Sequence, residues 1–394
     1  MVDYAVPTAP PTPTPTPTTG GTPCRVDAGR VVLDVDGASV QVHPRWLRER
    51  TADPVERDVS TGQRLVEPQD VDENIAVVSA EIVDAVAGPE LVVGFDDGHV
   101  MRIAVADMLG GDPTDPPEPE PWRAAPDTLP WFDFHQLTSQ SADERDGMML
   151  ALLDQYFRHG WFLLRGTPAR VGALHEITAP FGRIAATNFG TLFDVRSTAV
   201  PTDLAYTAVA LSAHTDQPYR RPTPGLQFLH VIRNDAPGGA STVVDGLAAV
   251  DDLRRIDPDG HRVLCETVVE FRYDIGVDVK VDRAPMIDRA PDGRLRRLRF
   301  SPRLDFAPLI DPDVLDVYYR ARRTLARLLD DPARRVEVDL GPGDVVVVDN
   351  HRVLHGRTSF DPTVGDRHLQ GCYIDHDGPD TCWRLAVRRN GARR

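Results

Sequence analysis

From Arg25 onward the apolar residues fall into two kinds of run: short β-rich stretches, and longer stretches with apolar positions three and four apart. Arg30-Val31-Val32-Leu33-Asp34-Val35 and Ala38-Ser39-Val40-Gln41-Val42 flank Asp36-Gly37. Leu91-Val92-Val93-Gly94-Phe95 and His99-Val100-Met101-Arg102-Ile103 flank Asp96-Asp97-Gly98. Asp-Gly tolerates the positive φ of a tight turn, so both pairs predict β-hairpins. Farther on, Met148, Met149, Leu152, Leu153 and Tyr156 recur at helical spacing and stop at Gly160, which predicts a helix over 142–159. Trp161-Phe162-Leu163-Leu164 predicts a buried strand, and Thr167-Pro168 the N-cap and first position of another helix. Beyond Ala208 short apolar runs prevail, at 225–232, 241–246 and 344–349, interrupted by one amphipathic helix near 312–330. The alternation of Arg with Leu and Phe over 294–300 predicts a half-buried strand with a solvated face rather than a basic patch.

Many short strands with few helices predict a mainly β fold with flanking helices. The large domain is expected to be a jelly roll (double-stranded β-helix) over 131–394, and a small β-rich N-terminal domain is expected over 25–110. Residues 111–130, rich in Pro, Glu and Asp, read as a linker. Residues 1–24 read as a disordered Pro/Thr tail, with too few apolar side chains to offset the entropy of ordering it.

Composition narrows the class. With 394 residues, 41% hydrophobic and 26% charged, the chain has the make-up of a globular protein large enough to bury its own core. A formal charge of −16 is the wrong sign for a phosphate backbone, so no nucleic-acid partner is expected. The 4 cysteines have no C-x-x-C spacing, which excludes a disulfide scaffold and fits a reducing cytoplasm. No run approaches the length of a membrane span, and the N-terminus lacks the basic and apolar blocks of a secretory signal. A cytoplasmic protein with no membrane contact is the expectation. Lys280 is the sole lysine, a bias that a GC-rich genome explains without function. Neither Gly-x-Gly-x-x-Gly nor a P-loop is present.

Three histidine- or arginine-bearing segments carry the chemistry. His214-Thr215-Asp216 on an extended segment puts imidazole and carboxylate on one side, able to chelate a divalent metal. Asp349-Asn350-His351-Arg352-Val353-Leu354-His355-Gly356-Arg357 follows a run of valines and presents two histidines. Arg367 comes a short strand later and can grip a carboxylate through paired hydrogen bonds. In a jelly roll a late histidine can meet an early His-x-Asp pair. Two His and one carboxylate then leave coordination positions open, as non-haem Fe(II) oxygenases require.

These motifs, with Pro224-Gly225-Leu226-Gln227 and Gly238-Gly239-Ala240-Ser241-Thr242-Val243-Val244-Asp245-Gly246, resemble the Fe(II)/2-oxoglutarate-dependent oxygenases of the γ-butyrobetaine hydroxylase and trimethyllysine hydroxylase group. The resemblance runs from about residue 30 to about 388. It implies that His214, Asp216 and His355 bind Fe(II), with His351 a structural neighbour. It further implies that Arg367 holds the distal carboxylate of the cosubstrate 2-oxoglutarate, helped by Thr242. The chemistry implied is oxidative decarboxylation of 2-oxoglutarate by O2, coupled to hydroxylation of a substrate C–H bond that the protein places. The carboxylate of Asp216 favours hydroxylation over halogenation. A small cationic substrate is implied as partner, in a cage formed by Phe189, Phe193, Tyr206 and Tyr373. Relatives of this kind often dimerise, which makes a homodimer an open expectation.

The sequence departs from that group at two places. The N-terminal domain keeps His43 and His99 but lacks the cysteines that would complete a zinc site, so no zinc is expected. Where the group has asparagines for the substrate carboxylate, this chain has Asp203 and Ser301, and a carboxylate facing a carboxylate is repulsive. Arg303 is placed to compensate; otherwise the substrate lacks a carboxylate at that end. The alternative is therefore the same chemistry on another small molecule, a specialised metabolite or amino-acid derivative. A cupin-like binding protein with a dead metal site, or a zinc hydrolase, would leave the joint presence of the triad and Arg367 unexplained.

Overall fold

The computed structural model describes residues 24–391 apart from Asp36, Ala87, Gly110, Gly111, Pro113 and 197–206. These residues form two compact units that divide between Asp115 and Pro116.

The first unit contains β1 (Cys24–Asp27), β2 (Arg30–Val35), β3 (Ala38–Val42), α1 (Pro44–Arg48), β4 (Val77–Ala85), β5 (Gly88–Phe95), β6 (Val100–Ala104) and α2 (Val105–Leu109). Two antiparallel three-stranded sheets, β1-β2-β3 and β4-β5-β6, use the two hairpins read from Asp-Gly. Alternate residues Leu91, Val93 and Phe95 enter one core with Val31, Leu33 and Leu47. His99 lies 3.1 Å from the Thr51 hydroxyl, with the carboxylates of Asp53 and Glu56 at 3.9 and 3.8 Å.

The second unit runs through β7 (Trp131–Asp133), α3 (Phe134–Leu137), α4 (Ala142–His159), β8 (Trp161–Arg165), α5 (Leu174–Thr178), β9 (Phe193–Val195), β10 (Leu211–His214), β11 (Leu226–Asn234), β12 (Ser241–Asp245), α6 (Gly246–Ile256) and α7 (Pro258–Glu266). It continues with β13 (Val268–Asp274), β14 (Val279–Pro285), β15 (Ile287–Arg289), β16 (Leu295–Leu298), β17 (Asp305–Phe306), α8 (Pro312–Leu329), β18 (Val336–Val338), β19 (Val345–Asp349), β20 (Val353–Arg357), β21 (Arg367–Ile374) and α9 (Asp377–Gly391).

A six-stranded sheet, β7-β8-β19-β11-β21-β9, packs on a four-stranded sheet, β10-β20-β12-β18, in a jelly roll. The four valines of β19 show why. Val346 and Val348 join Val243, Val336 and Val353 between the sheets, whereas Val345 and Val347 face Leu152, Leu153 and Phe181 under the helices. Each such side chain contributes about 1.5–3 kcal/mol by leaving water. The outer face of the smaller sheet, at Ala213, Val244 and Leu354, is covered by α6, α7 and α8.

Local signals explain the boundaries. Ser141 caps α4 by accepting from the Glu144 amide, and Gly160 ends it at φ +81°, a left-handed conformation that glycine adopts without strain. Asp311 caps α8 in the same way, by accepting from the Asp313 amide. The helix expected at Thr167-Pro168 does not begin there; α5 starts at Leu174. Thr167 instead gives both its amide (3.1 Å) and its hydroxyl (2.8 Å) to the Gly343 carbonyl, so a tertiary contact takes the hydroxyl that would have capped. The stretch read as a linker carries no element among its described residues, yet from Pro116 it belongs to the second unit. Trp122 donates to Asp245 and to the His159 carbonyl, both at 2.9 Å, and Arg123 grips Asp252.

Candidate active site

The site begins with a strand pair. His214 ends β10 directly opposite His355 on β20, and their ring centroids are 4.5 Å apart. Asp216 follows in the turn, with its oxygens 3.4 Å from His214 Nε2 and 3.7 Å from His355 Nε2. The buried side chain of Asn350 fixes that turn. It accepts from the Asp216 amide at 2.6 Å and donates to the Asp216 and Pro224 carbonyls at 3.0 Å each. Gln217, next in line, is held at φ +49°, an uncommon conformation for a side chain with a Cβ.

Protonation states follow from the partners. His214 Nδ1 lies 2.9 Å from the Ser212 carbonyl and donates to it, which turns Nε2 toward Asp216. Burial would raise the Asp216 pKa. The opposing influence of His355, His214 and the Tyr373 hydroxyl, which donates at 2.6 Å, instead holds it well below the ordinary range. The Gln227 amide donates to the same carboxylate. Burial pushes His355 down to about 4, so it is neutral near pH 7. Two imidazoles and a carboxylate thus place one donor atom each within 4.8 Å of one another. That donor set fits a divalent ion of the non-haem iron type.

A cavity of about 430 Å³ opens onto this cluster. At one end stands Arg367, 8% exposed and the first residue of β21. Its Nε has no hydrogen-bond partner, and a single bond of 3.3 Å runs from Nη2 to the Gly239 carbonyl. Burial lowers its pKa to about 10. A guanidinium buried with no carboxylate beside it among the described residues is matched to an incoming anion. Gly239 makes room for it, since a Cβ there would stand 2.9 Å from Arg367 Nε.

Of the two adjacent hydroxyls, the structure brings Ser241 to the cavity and not Thr242. Ser241 pairs with Arg357 and Val243 with His355, so alternate residues of β12 share the histidine's face. Thr242 points the other way, where a Cβ on Gly356 would meet its Oγ1 at 2.8 Å. The Gly-Gly motif alone does not tell the two apart; the strand pairing does.

The other end is aromatic. Phe193 stacks on Tyr373 at 5.3 Å, and Phe189 lies 6.5 Å from Phe193. Phe189 also meets the edge of Tyr273 at 5.9 Å, which stacks on Tyr219 at 5.1 Å. All five rings line the cavity. Gly371, opposite Phe193 in register, lets that ring lie flat on β21, because a Cβ there would occupy the ring. Phe189, Phe193 and Tyr373 are therefore brought together as expected, while Asp203 and Tyr206 lie outside the described residues. Tyr219 and Tyr273 were missed. Tyr219 sits only three residues after Asp216, but nothing in the alternating β13 run marks Tyr273 out from core. Ser301, buried, and Arg303, exposed, also line the cavity, and Arg303 has no hydrogen bond or ion pair with any described residue.

The family model "Taurine catabolism dioxygenase TauD, TfdA family" matches residues 121–373. A γ-butyrobetaine dioxygenase of Pseudomonas sp. is 37% identical over 89% of this chain and 91% of its own length. The human γ-butyrobetaine dioxygenase is 30% identical over 63% of this chain and 64% of its own. Among solved structures, the non-heme iron oxygenase OrfP in complex with Fe and alpha-ketoglutaric acid superposes at a TM-score of 0.46, with 18% identity over 63% of this chain and 94% of that one. Among the described residues no helix is long and apolar enough to cross a membrane. The chain belongs to the TauD, TfdA family and is an Fe(II)- and 2-oxoglutarate-dependent dioxygenase, a hydroxylase of small molecules.

Proposed function

We propose that the enzyme hydroxylates a C–H bond of a small quaternary-ammonium substrate of the γ-butyrobetaine kind, with His214, Asp216 and His355 as the iron ligands. The observation that carries this reading is the wall of five rings beside the histidine–carboxylate cluster. A cation over such faces gains about 0.5–2 kcal/mol per favourable contact. Fe(II) with 2-oxoglutarate and O2 supplies oxidative decarboxylation to succinate and CO2, coupled to transfer of one oxygen atom to carbon. The chain's own residues do the placing. Arg367 grips the distal carboxylate of 2-oxoglutarate, with Ser241 beside it. Tyr373 and Gln227 hold the Asp216 carboxylate in one orientation, and Asn350 holds its backbone. The rings fix the cationic head and keep water from the reacting carbon.

Arg303 is the residue we assign to the substrate's carboxylate, in place of the asparagine that Ser301 replaces. Its lack of any other partner among the described residues supports that role. Asp203 favours the second reading, a substrate with an amine or hydroxyl at that end. In either case the enzyme works in the cytoplasm, where its 4 unbridged cysteines remain reduced.

The test loads the protein anaerobically with Fe(II) and 2-oxoglutarate, then adds O2 and γ-butyrobetaine. The expected product, read by mass spectrometry, is one oxygen atom heavier. Succinate without that product, abolished by Asp216→Ala, would move the assignment to another substrate.

A further inference from the structure

A second cluster of the same composition lies apart from the cavity lining. Asp349 ends β19, His351 follows in the turn, and His376 immediately precedes α9. One donor atom from each falls within 4.8 Å of the others. His376 Nε2 is 2.9 Å from Asp349 Oδ1, and the two imidazole rings sit 4.2 Å apart. Two adjacent imidazoles beside one carboxylate are more than an ion pair needs, since Asp349 is matched by His376 alone.

The outer contacts orient the group for metal. His351 Nε2 lies 3.2 Å from the Thr223 carbonyl, an oxygen that can only accept, so Nε2 carries the proton and Nδ1 the lone pair. A ligand imidazole held by a backbone carbonyl through its other nitrogen is the usual arrangement around a bound transition ion. The Asp349 carboxylate also accepts from the His351 amide at 2.9 Å, which ties it to the turn. Arg297, whose charge acts on both imidazoles, has its guanidinium engaged elsewhere, with Thr223 Oγ1 at 2.8 Å and Asp288 at 2.9 Å. The side chain of His376 is 38% exposed and that of Asp349 19%, so an ion can reach the cluster from solvent.

We infer that Asp349, His351 and His376 form a second metal site, one for a borderline divalent ion such as Zn²⁺, independent of the iron centre. Nitrogen-rich ligation of this kind suits Zn²⁺, Ni²⁺ or Cu²⁺ better than Mg²⁺ or Ca²⁺. Its position gives it a structural task. The turn it would close includes Asn350, whose side chain brackets Asp216. The absence of cysteines that spoke against zinc concerns His99 in the first unit and does not bear on this cluster.

Zn²⁺ stoichiometry, measured by native mass spectrometry on the full chain, tests the site. In a His214→Ala/Asp216→Ala background, which disables the first cluster, one Zn²⁺ per chain is expected. Adding His376→Gln, whose amide can still donate to Asp349, should abolish that ion while the circular dichroism is unchanged. No Zn²⁺ in the background protein would overturn the inference, and so would an ion that survives His376→Gln. Neither result bears on whether the first cluster holds iron.

Discussion

The two ends of the cavity are built differently. The end that holds His214, His355, Ser241, Arg357 and Arg367 is made of paired strands, where register fixes which side chain faces inward. The end that holds Phe189, Phe193, Tyr219, Tyr273 and Tyr373 takes a loop, a short edge strand, a turn and two longer strands from unconnected parts of the chain. The contrast separates chemistry from specificity. On the proposed roles, residues common to every turnover sit on paired backbone, whereas Phe189, Phe193 and Tyr219, proposed to select the substrate, sit in a loop, a short edge strand and a turn, where substitution is better tolerated.

That division predicts a graded response to substitution. Asp216→Ala should have the largest effect, lowering succinate formation at least a hundredfold, roughly the upper range for loss of a group that merely supports a metal ligand. Arg367→Ala comes next. Losing a charge-assisted contact of about 1.5–3 kcal/mol should raise the KM for 2-oxoglutarate roughly ten- to hundredfold, while an intact aromatic end leaves the KM for the amine nearly unchanged. Phe193→Ala should do the reverse, raising the substrate KM about two- to thirtyfold and leaving basal succinate release in place. Ser241→Ala should raise the 2-oxoglutarate KM only about fivefold, the worth of one neutral hydrogen bond, and Thr242→Ala should not change it. If Thr242→Ala proves the more damaging of the pair, the strand pairing does not set that face. Arg303→Ala should have the smallest measurable effect, a few-fold in substrate KM, because an exposed guanidinium is screened by water.

Legibility in the sequence followed the same division. The hairpins, α4, α8 and the central strands could be read from period and from Asp-Gly, Ser and Gly boundary signals, because the same few residues decide them locally. His214, Asp216, His355 and Arg367 stood in motifs whose chemistry is specific only in combination. What escaped depended on tertiary pairing. Ser241 and Thr242 are equivalent until β12 is laid beside β20. Tyr273 is indistinguishable from a core tyrosine until β13 is seen to border the cavity. Thr167 carried a valid helix-start signal, and a distant carbonyl at Gly343 outcompeted it. Arg352 carries no local signal of a role, yet it forms a buried double hydrogen bond with Asp245 at 3.0 Å.

The meeting of His214 with His355 has one further consequence, for how the chain reaches its final form. β10 has only four residues, and its pairing with β20 shifts register between Leu211 and His214. So short a ladder discriminates weakly against slipped alignments, and a slip by one residue would turn His214 to the opposite face. An ion held by both imidazoles would favour the correct alignment over a slipped one, and so would act as a proofreader of the sheet. Enzyme refolded with Fe(II) or another divalent ion should recover more activity than enzyme supplied with the same ion only afterwards.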